Sequence, residues 1–132
     1  MVKRHRAKVD PQVETTNWAE MLVMVYDRLV LDVQRGLDAQ RRGDHEETMR
    51  QLTHALEVVS ELQRSVRVDA FRGGYDLASL YEFLNRRLVM ASIGNDEAIT
   101  DECLTLVTDL CHTWRQVALA SAAESTADHL TA

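Results

Sequence analysis

The sequence predicts an all-α fold, an antiparallel up-down four-helix bundle, from two observations. First, five glycines and one proline in 132 residues leave few chain breakers, while Leu, Ala, Glu, Arg, Gln and Met dominate the body. Second, four stretches carry apolar residues that recur every three or four positions, the period of a helix with one buried face. Four amphipathic helices of about 20 to 26 residues with short connections bury their stripes most simply as a bundle. The length suits one domain.

Residues 1–15 show no sustained apolar period, and Asp10-Pro11 disfavours a helix at the residue before proline, so a mobile N-terminal arm is expected there. Asn17 followed by Glu20 has the pattern of a capping box. Trp18, Leu22, Val25, Leu29, Val33 and Leu37 then trace a first helix over about 17–42, closed by Gly43. Asp44 with Glu47 opens a second helix, over about 44–67, along Leu52, Leu56, Val59 and Leu62. The Gly73-Gly74 pair ends the longest expected loop, from Arg67. A third helix begins near Tyr75 on Leu77, Leu80, Tyr81, Leu84, Leu88 and Ala91, and Gly94-Asn95-Asp96 supplies a stop and a new cap. The fourth, from about 97, uses Ile99, Cys103, Val107, Leu110, Trp114 and Val117. Beyond Ala120 the chain thins into Ala, Ser and Thr, and residues 121–132 are expected to be a disordered tail. The bundle domain is therefore expected over 16–120.

Helix 1 carries more apolar surface near its start than a bundle needs. Met21-Leu22-Val23-Met24-Val25-Tyr26 is apolar around the whole circumference, and a bundle buries only one stripe. Phe83 and Met90 give the third helix a milder surplus. Methionines among aliphatics suit a surface that adapts to a partner helix, although a single Met is more often ordinary core filler.

Other function classes find little support. The net charge is −6, and with Lys3, Arg4, Arg6 and Lys8 confined to the arm the body is more acidic still, which does not suit nucleic acid. No apolar run reaches the roughly 18 residues of a membrane span, so a cytoplasmic protein with no membrane insertion is expected. Cys103 and Cys111 lie about 12 Å apart on one helix and cannot pair with each other. Asp109-x-x-His112 is one isolated pair at ligand spacing, so no metal or other cofactor is expected. Both lysines sit in the arm, which leaves His45 and His54 without the Lys three residues on that a phosphotransfer bundle uses. Arg28, Arg35, Arg86 and Arg87 are the side chains an all-helical mutase would turn inward, but no base with an oriented nucleophile accompanies them. No catalytic residue is assigned.

Four segments resemble the flagellin-specific export chaperones, the FliS family. Leu22-Val23-Met24-Val25-Tyr26-Asp27, preceded by Thr15-Thr16-Asn17, is similar to the family's apolar run ending in Tyr-Asp. Leu80-Tyr81-Glu82-Phe83-Leu84-Asn85-Arg86-Arg87-Leu88, with Ala91 and Asn95-Asp96, resembles its most recognisable stretch, and Thr113-Trp114-Arg115 matches a tripeptide of its last helix. The Gly43-Asp44 turn and Glu61-Leu62 fall in order, so the likeness covers roughly 12–118. Arg28 in place of Gly, Trp18 in place of Pro and Ser92 in place of Asn depart from the pattern.

The resemblance implies a chaperone that binds the C-terminal region of flagellin, prevents premature polymerisation and presents its client to an export-gate component of the flagellar secretion system. It implies no enzyme activity and an N-terminal arm that covers part of the groove. The expected contact residues are Val23, Met24, Tyr26 and Val30 of helix 1 with Tyr81, Phe83 and Met90 of helix 3, although Tyr26 and Tyr81 equally suit core aromatics. Trp114 is assigned to the core, and Asp27 is expected to pair with Arg86 or Arg87. The alternative is a helical dimerisation or regulatory module whose apolar surplus binds another partner helix.

Overall fold

The computed structural model describes residues 11–66 and 73–131, and within them the side chains from Trp18 onward except those of 125 and 128–131. It is all-α, with α1 over Pro11–Arg41, α2 over His45–Ser65, α3 over Gly74–Ile93 and α4 over Glu97–Thr131. Among the described residues there is no strand.

Two ends of the expected bundle differ. Residues 11–15, expected in the arm, belong to α1, and Asn17 with Thr15 and Thr16 lies inside the helix instead of capping it. Pro11 is the first helical residue, where its missing N–H is not needed and its fixed φ is already helical, so proline starts this helix while disfavouring the residue before it. At the other end α4 continues to Thr131, through residues expected to be a disordered tail, because the Ala-rich composition there has high helix propensity. The remainder of the expected arm, 1–10, and the loop residues 67–72 lie outside the described residues.

The chain divides into two compact units, Arg28–Thr108 and Met1–Asp27 with Asp109–Ala132. The first contains parts of all four helices in an up-down-up-down arrangement, and its hydrogen bonds show the directions. Asn85 of α3 donates to Ser60 late in α2, while Ser92, about two turns further along α3, reaches Met49 early in α2, so these helices run antiparallel. Gln40 in the last turn of α1 donates to the Ala91 carbonyl near the end of α3, so those two run parallel. Arg41 faces Glu97 at the start of α4 at 3.8 Å. Leu29, Val33, Leu37, Leu52, Ala55, Val59, Tyr81, Leu84, Leu88 and Val107 form the buried core.

The α1–α2 and α3–α4 connections use one device. In the first, the Gly43 and Asp44 amides donate back to the Gln40 and Ala39 carbonyls at 3.1 and 2.9 Å, with Gly43 at φ 77°. In the second, the Asn95 and Asp96 amides bond Ser92 and Ala91 at 3.3 and 3.0 Å, with Asn95 at φ 49°. Each left-handed residue thus closes one helix, and the aspartate after it caps the next. The Asp44 carboxylate accepts from the Glu47 amide, and that of Asp96 from the Ala98 and Ile99 amides. Four residues on, the hydroxyls of Thr48 and Thr100, both fully buried, donate to the Asp44 and Asp96 carbonyls. Glycine tolerates positive φ without cost, but asparagine does not. Asn95→Gly is therefore expected to raise unfolding stability by about 0.5 to 1 kcal/mol in urea titration.

Gly36 sets the closest approach of α1 to α2. A Cβ there would stand 2.7 Å from Leu52 Cδ2 and 3.0 Å from its Cγ, and Leu52 is fully buried with no room to swing away. Gly36→Ala gains about 1 kcal/mol of helix propensity but overpacks the contact. The expected outcome is a net loss of about 1 to 2 kcal/mol, read as a lower urea midpoint with unchanged slope.

Beside that contact Asp32 is fully buried, its Oδ1 3.1 Å from Arg28 Nε and its Oδ2 against His54 Nδ1 of α2. A carboxylate out of water needs such partners. Removing the cross-helix one, in His54→Ala, is expected to cost about 1 to 3 kcal/mol of stability by leaving Asp32 under-satisfied.

Candidate partner-binding surfaces

Each unit carries its own exposed apolar side chains. In the four-helix unit they lie on α3. Its inward residues, Tyr81, Leu84, Leu88 and Ala91, follow the helical period, and Tyr75, Phe83, Met90 and Ile93 fall on the opposite side. At 100° per residue these four span an arc of about 80°. Ile93 is 80% exposed, Tyr75 71%, Met90 49% and Phe83 46%. Glu82 and Arg86 sit within the stripe and pair with each other, while Arg87 reaches Glu102 of α4. Asp76, beside Tyr75, is exposed with no ion pair among the described residues, so the stripe is mainly apolar with one uncompensated carboxylate at its edge.

In the other unit the surplus lies at the start of α1. Ala19, Leu22 and Tyr26 turn inward, while Trp18, Met21, Met24 and Val25 remain exposed and Val23 is half-buried. The Trp18 ring meets Trp114 of α4 edge to face at 5.2 Å. Asp27 accepts a 2.7 Å hydrogen bond from Arg115 Nη2 and a 3.2 Å one from the Cys111 thiol. Trp114 is half-buried, not wholly core, and its buried indole N–H has no acceptor among the described residues.

The expected contact residues separate accordingly. Met24, Phe83 and Met90 are exposed, and Val23 and Val30 are half-buried. Tyr26 and Tyr81 are core side chains with essentially no exposure, so neither ring can touch a partner without the bundle opening. Their role is packing. The ion pair expected between Asp27 and Arg86 or Arg87 is replaced by three others, Asp27–Arg115, Arg86–Glu82 and Arg87–Glu102. The sequence reading missed Tyr75, Ile93 and Leu31, which is also exposed. The arc shared by Tyr75, Phe83, Met90 and Ile93 is visible in the helical period, but Tyr75 enters the sequence reading only as a helix start and Ile93 does not enter it.

No group of three His, Cys, Asp or Glu residues suited to a metal occurs among the described residues, and none of the described helices is long and apolar enough to cross a membrane. Burial pushes the Cys103 thiol up to about 11. Burial and the Asp27 carboxylate also raise Cys111. Both thiols are thus poor nucleophiles near neutral pH.

The fold defines a small helical bundle with exposed apolar side chains on two of its helices. The chain belongs to the family described as flagellar protein FliS, whose family model matches residues 1–121. It is similar to a Bacillus subtilis (strain 168) protein named flagellar secretion chaperone FliS, at 28% identity over 108 residues, 79% of this chain and 77% of that relative.

The buried thiols stay protonated in the folded chain to a higher pH than when unfolded. Their contribution to stability is full below the ordinary thiol range near 8.5 and is lost as pH rises from there toward 11. Melting temperature is expected to fall over that window, and Cys103→Ala to flatten the fall while lowering stability throughout. Separately, Tyr81→Ala is expected to cost about 3 to 5 kcal/mol, whereas exposed Phe83→Ser stays within about 0.5 kcal/mol of the parent in the same urea titration.

Proposed function

We propose that this chain is a flagellar export chaperone that binds the C-terminal helical region of flagellin, keeps it from polymerising prematurely and delivers it to the flagellar secretion apparatus. The observation that carries the proposal is the exposure of Phe83 and Met90 on α3 and, in the other unit, of Met24 on α1, in a chain of this family. The name of the Bacillus subtilis relative supports the chaperone role. Covering each such side chain contributes at most about 1.5 to 3 kcal/mol, and ordering a disordered client costs about 2 to 5 kcal/mol or more, so several must be covered together. Tyr75 and Ile93 join the proposed contact residues on α3, and half-buried Val23 and Val30 are kept as proposed contact residues on α1. Tyr26 and Tyr81 act behind the surface by holding α1 and α3 in place.

The proposed setting is the cytoplasm, with an export-gate component as second partner and no cofactor, nucleic acid or enzymatic step. Isothermal titration with a peptide from the C-terminal helical region of the same organism's flagellin tests the reading. Saturable one-to-one binding with a negative heat-capacity change is expected, and Phe83→Ser with Met90→Ser is expected to weaken it at least about tenfold. A stable dimer by light scattering, together with silence in the titration, would replace the chaperone reading with a self-associating module.

A further inference from the structure

The exposed stripe of α3 is complementary to itself. Every residue of this helix is described, so positions along it follow from a rise of about 1.5 Å and a turn of about 100° per residue. Counted outward from Leu84, the stripe mirrors its own pattern. Tyr75 and Ile93 lie at equal distances before and after that centre, and so do Glu82 and Arg86. Ser79 and Met90, both exposed and on the same arc, stand at nearly equal distances, and Phe83 is next to the centre. A two-fold axis crossing the helix at Leu84 therefore brings Tyr75 of one copy to Ile93 of the other and Ser79 to Met90. It also sets Glu82 at the height of Arg86, on the same side of the contact. The two Phe83 rings meet beside the axis, their Cα atoms about 3 Å apart along the helix direction. A parallel copy instead brings Arg86 to Arg86, a like-charge contact.

We infer that α3 docks on α3 of a second copy of this chain, the two helices antiparallel about Leu84. The Glu82–Arg86 pair within each chain is exchanged for two pairs between chains, so covering the stripe strands neither charge. Asp76 lies at the rim, where it stays in water. The footprint is small: the stripe is about 27 Å long and a helix with its side chains about 10 Å wide, so each copy contributes about 270 Å², against roughly 800 Å² per partner in a stable complex. The pairing is therefore weak and reversible, with a dissociation constant on the order of tens to hundreds of micromolar. It covers Phe83 and Met90 when the chain is concentrated and idle, and a client that takes the same side chains displaces the second copy. The pairing itself needs no client, and only this mutual exclusion rests on the chaperone reading.

The full chain is sedimented to equilibrium from about 5 µM to about 2 mM. The expected result is a reversible monomer–dimer equilibrium with no larger species. Phe83→Ser should weaken it at least about tenfold. Glu82→Arg and Arg86→Glu should each weaken it about fivefold or more, and an equimolar mixture of the two variants should regain dimer, because each then meets the opposite charge. These positions are exposed, so the monomers are expected to keep their fold. Cross-linking with a mild thiol oxidant reads the direction. Phe83→Cys should link to itself, whereas Tyr75→Cys should link to Ile93→Cys in a mixture and not to itself, since the two copies of position 75 stand about 27 Å apart. The parent chain, with Cys103 and Cys111 buried, should not link. A monomer throughout the range overturns the inference, as does a dimer that Phe83→Ser leaves unchanged. Self-linking of Tyr75→Cys makes the helices parallel and overturns the antiparallel pairing. A dimer with these properties in a chain that gives no heat with the flagellin peptide would overturn the chaperone reading alone. A peptide that binds a chain monomeric at every concentration overturns this inference alone, and a peptide that binds the dimer without dissociating it overturns the exclusion.

Discussion

The four-helix unit depends on where its helices stop. Gly43 and Asn95, each in the left-handed region, end α1 and α3, and the aspartate after each begins the next helix with no spacer. Because no residue intervenes between stop and cap, the phase of one helix dictates the phase of the next. The buried hydroxyls of Thr48 and Thr100, bonded to the cap carbonyls, tie both starts into the core. Gln40 then joins the end of α1 to the carbonyl that the α3 stop already uses. Few residues are left free to choose which side faces inward.

That constraint explains why the family-like motifs serve architecture more than recognition. In Leu80-Tyr81-Glu82-Phe83-Leu84-Asn85-Arg86-Arg87-Leu88, Tyr81, Leu84 and Leu88 fill the core, and Asn85, Arg86 and Arg87 bond to Ser60, Glu82 and Glu102. Phe83 alone of its apolar residues is clearly exposed. Likewise the Tyr26-Asp27 and Thr113-Trp114-Arg115 segments meet each other through Asp27 and Arg115. A motif can therefore identify the fold while most of its side chains face away from any partner. The surfaces left for binding consist of what the packing does not consume.

The two apolar faces differ in physical kind. On α3 the aromatic and aliphatic side chains are interleaved with a closed Glu82–Arg86 pair, so burial there costs little electrostatic compensation. At the start of α1 the exposed methionines neighbour Glu20, which has no ion pair among the described residues.

The order and type of the four helices were legible in the sequence because they rest on local rules: a period near 3.6, breakers at Gly43 and Gly94, and caps at Asp44 and Asp96. The ends of α1 and α4 were less legible. A proline that discourages one residue from being helical favours the next as a start, and an Ala-Ser-Thr stretch reads as polar tail although it propagates an existing helix well. Met24, Phe83 and Met90 were readable as surplus because a bundle helix has room for one stripe only. Tyr26 and Tyr81 were not separable from them, since an aromatic on the helical period looks the same whether its ring points between helices or past them. The pairing of Asp32 with His54, the approach of Gly36 to Leu52 and the choice of Arg115 for Asp27 came from tertiary structure alone. Each joins residues distant in the chain, and only the packed arrangement of helices brings them together.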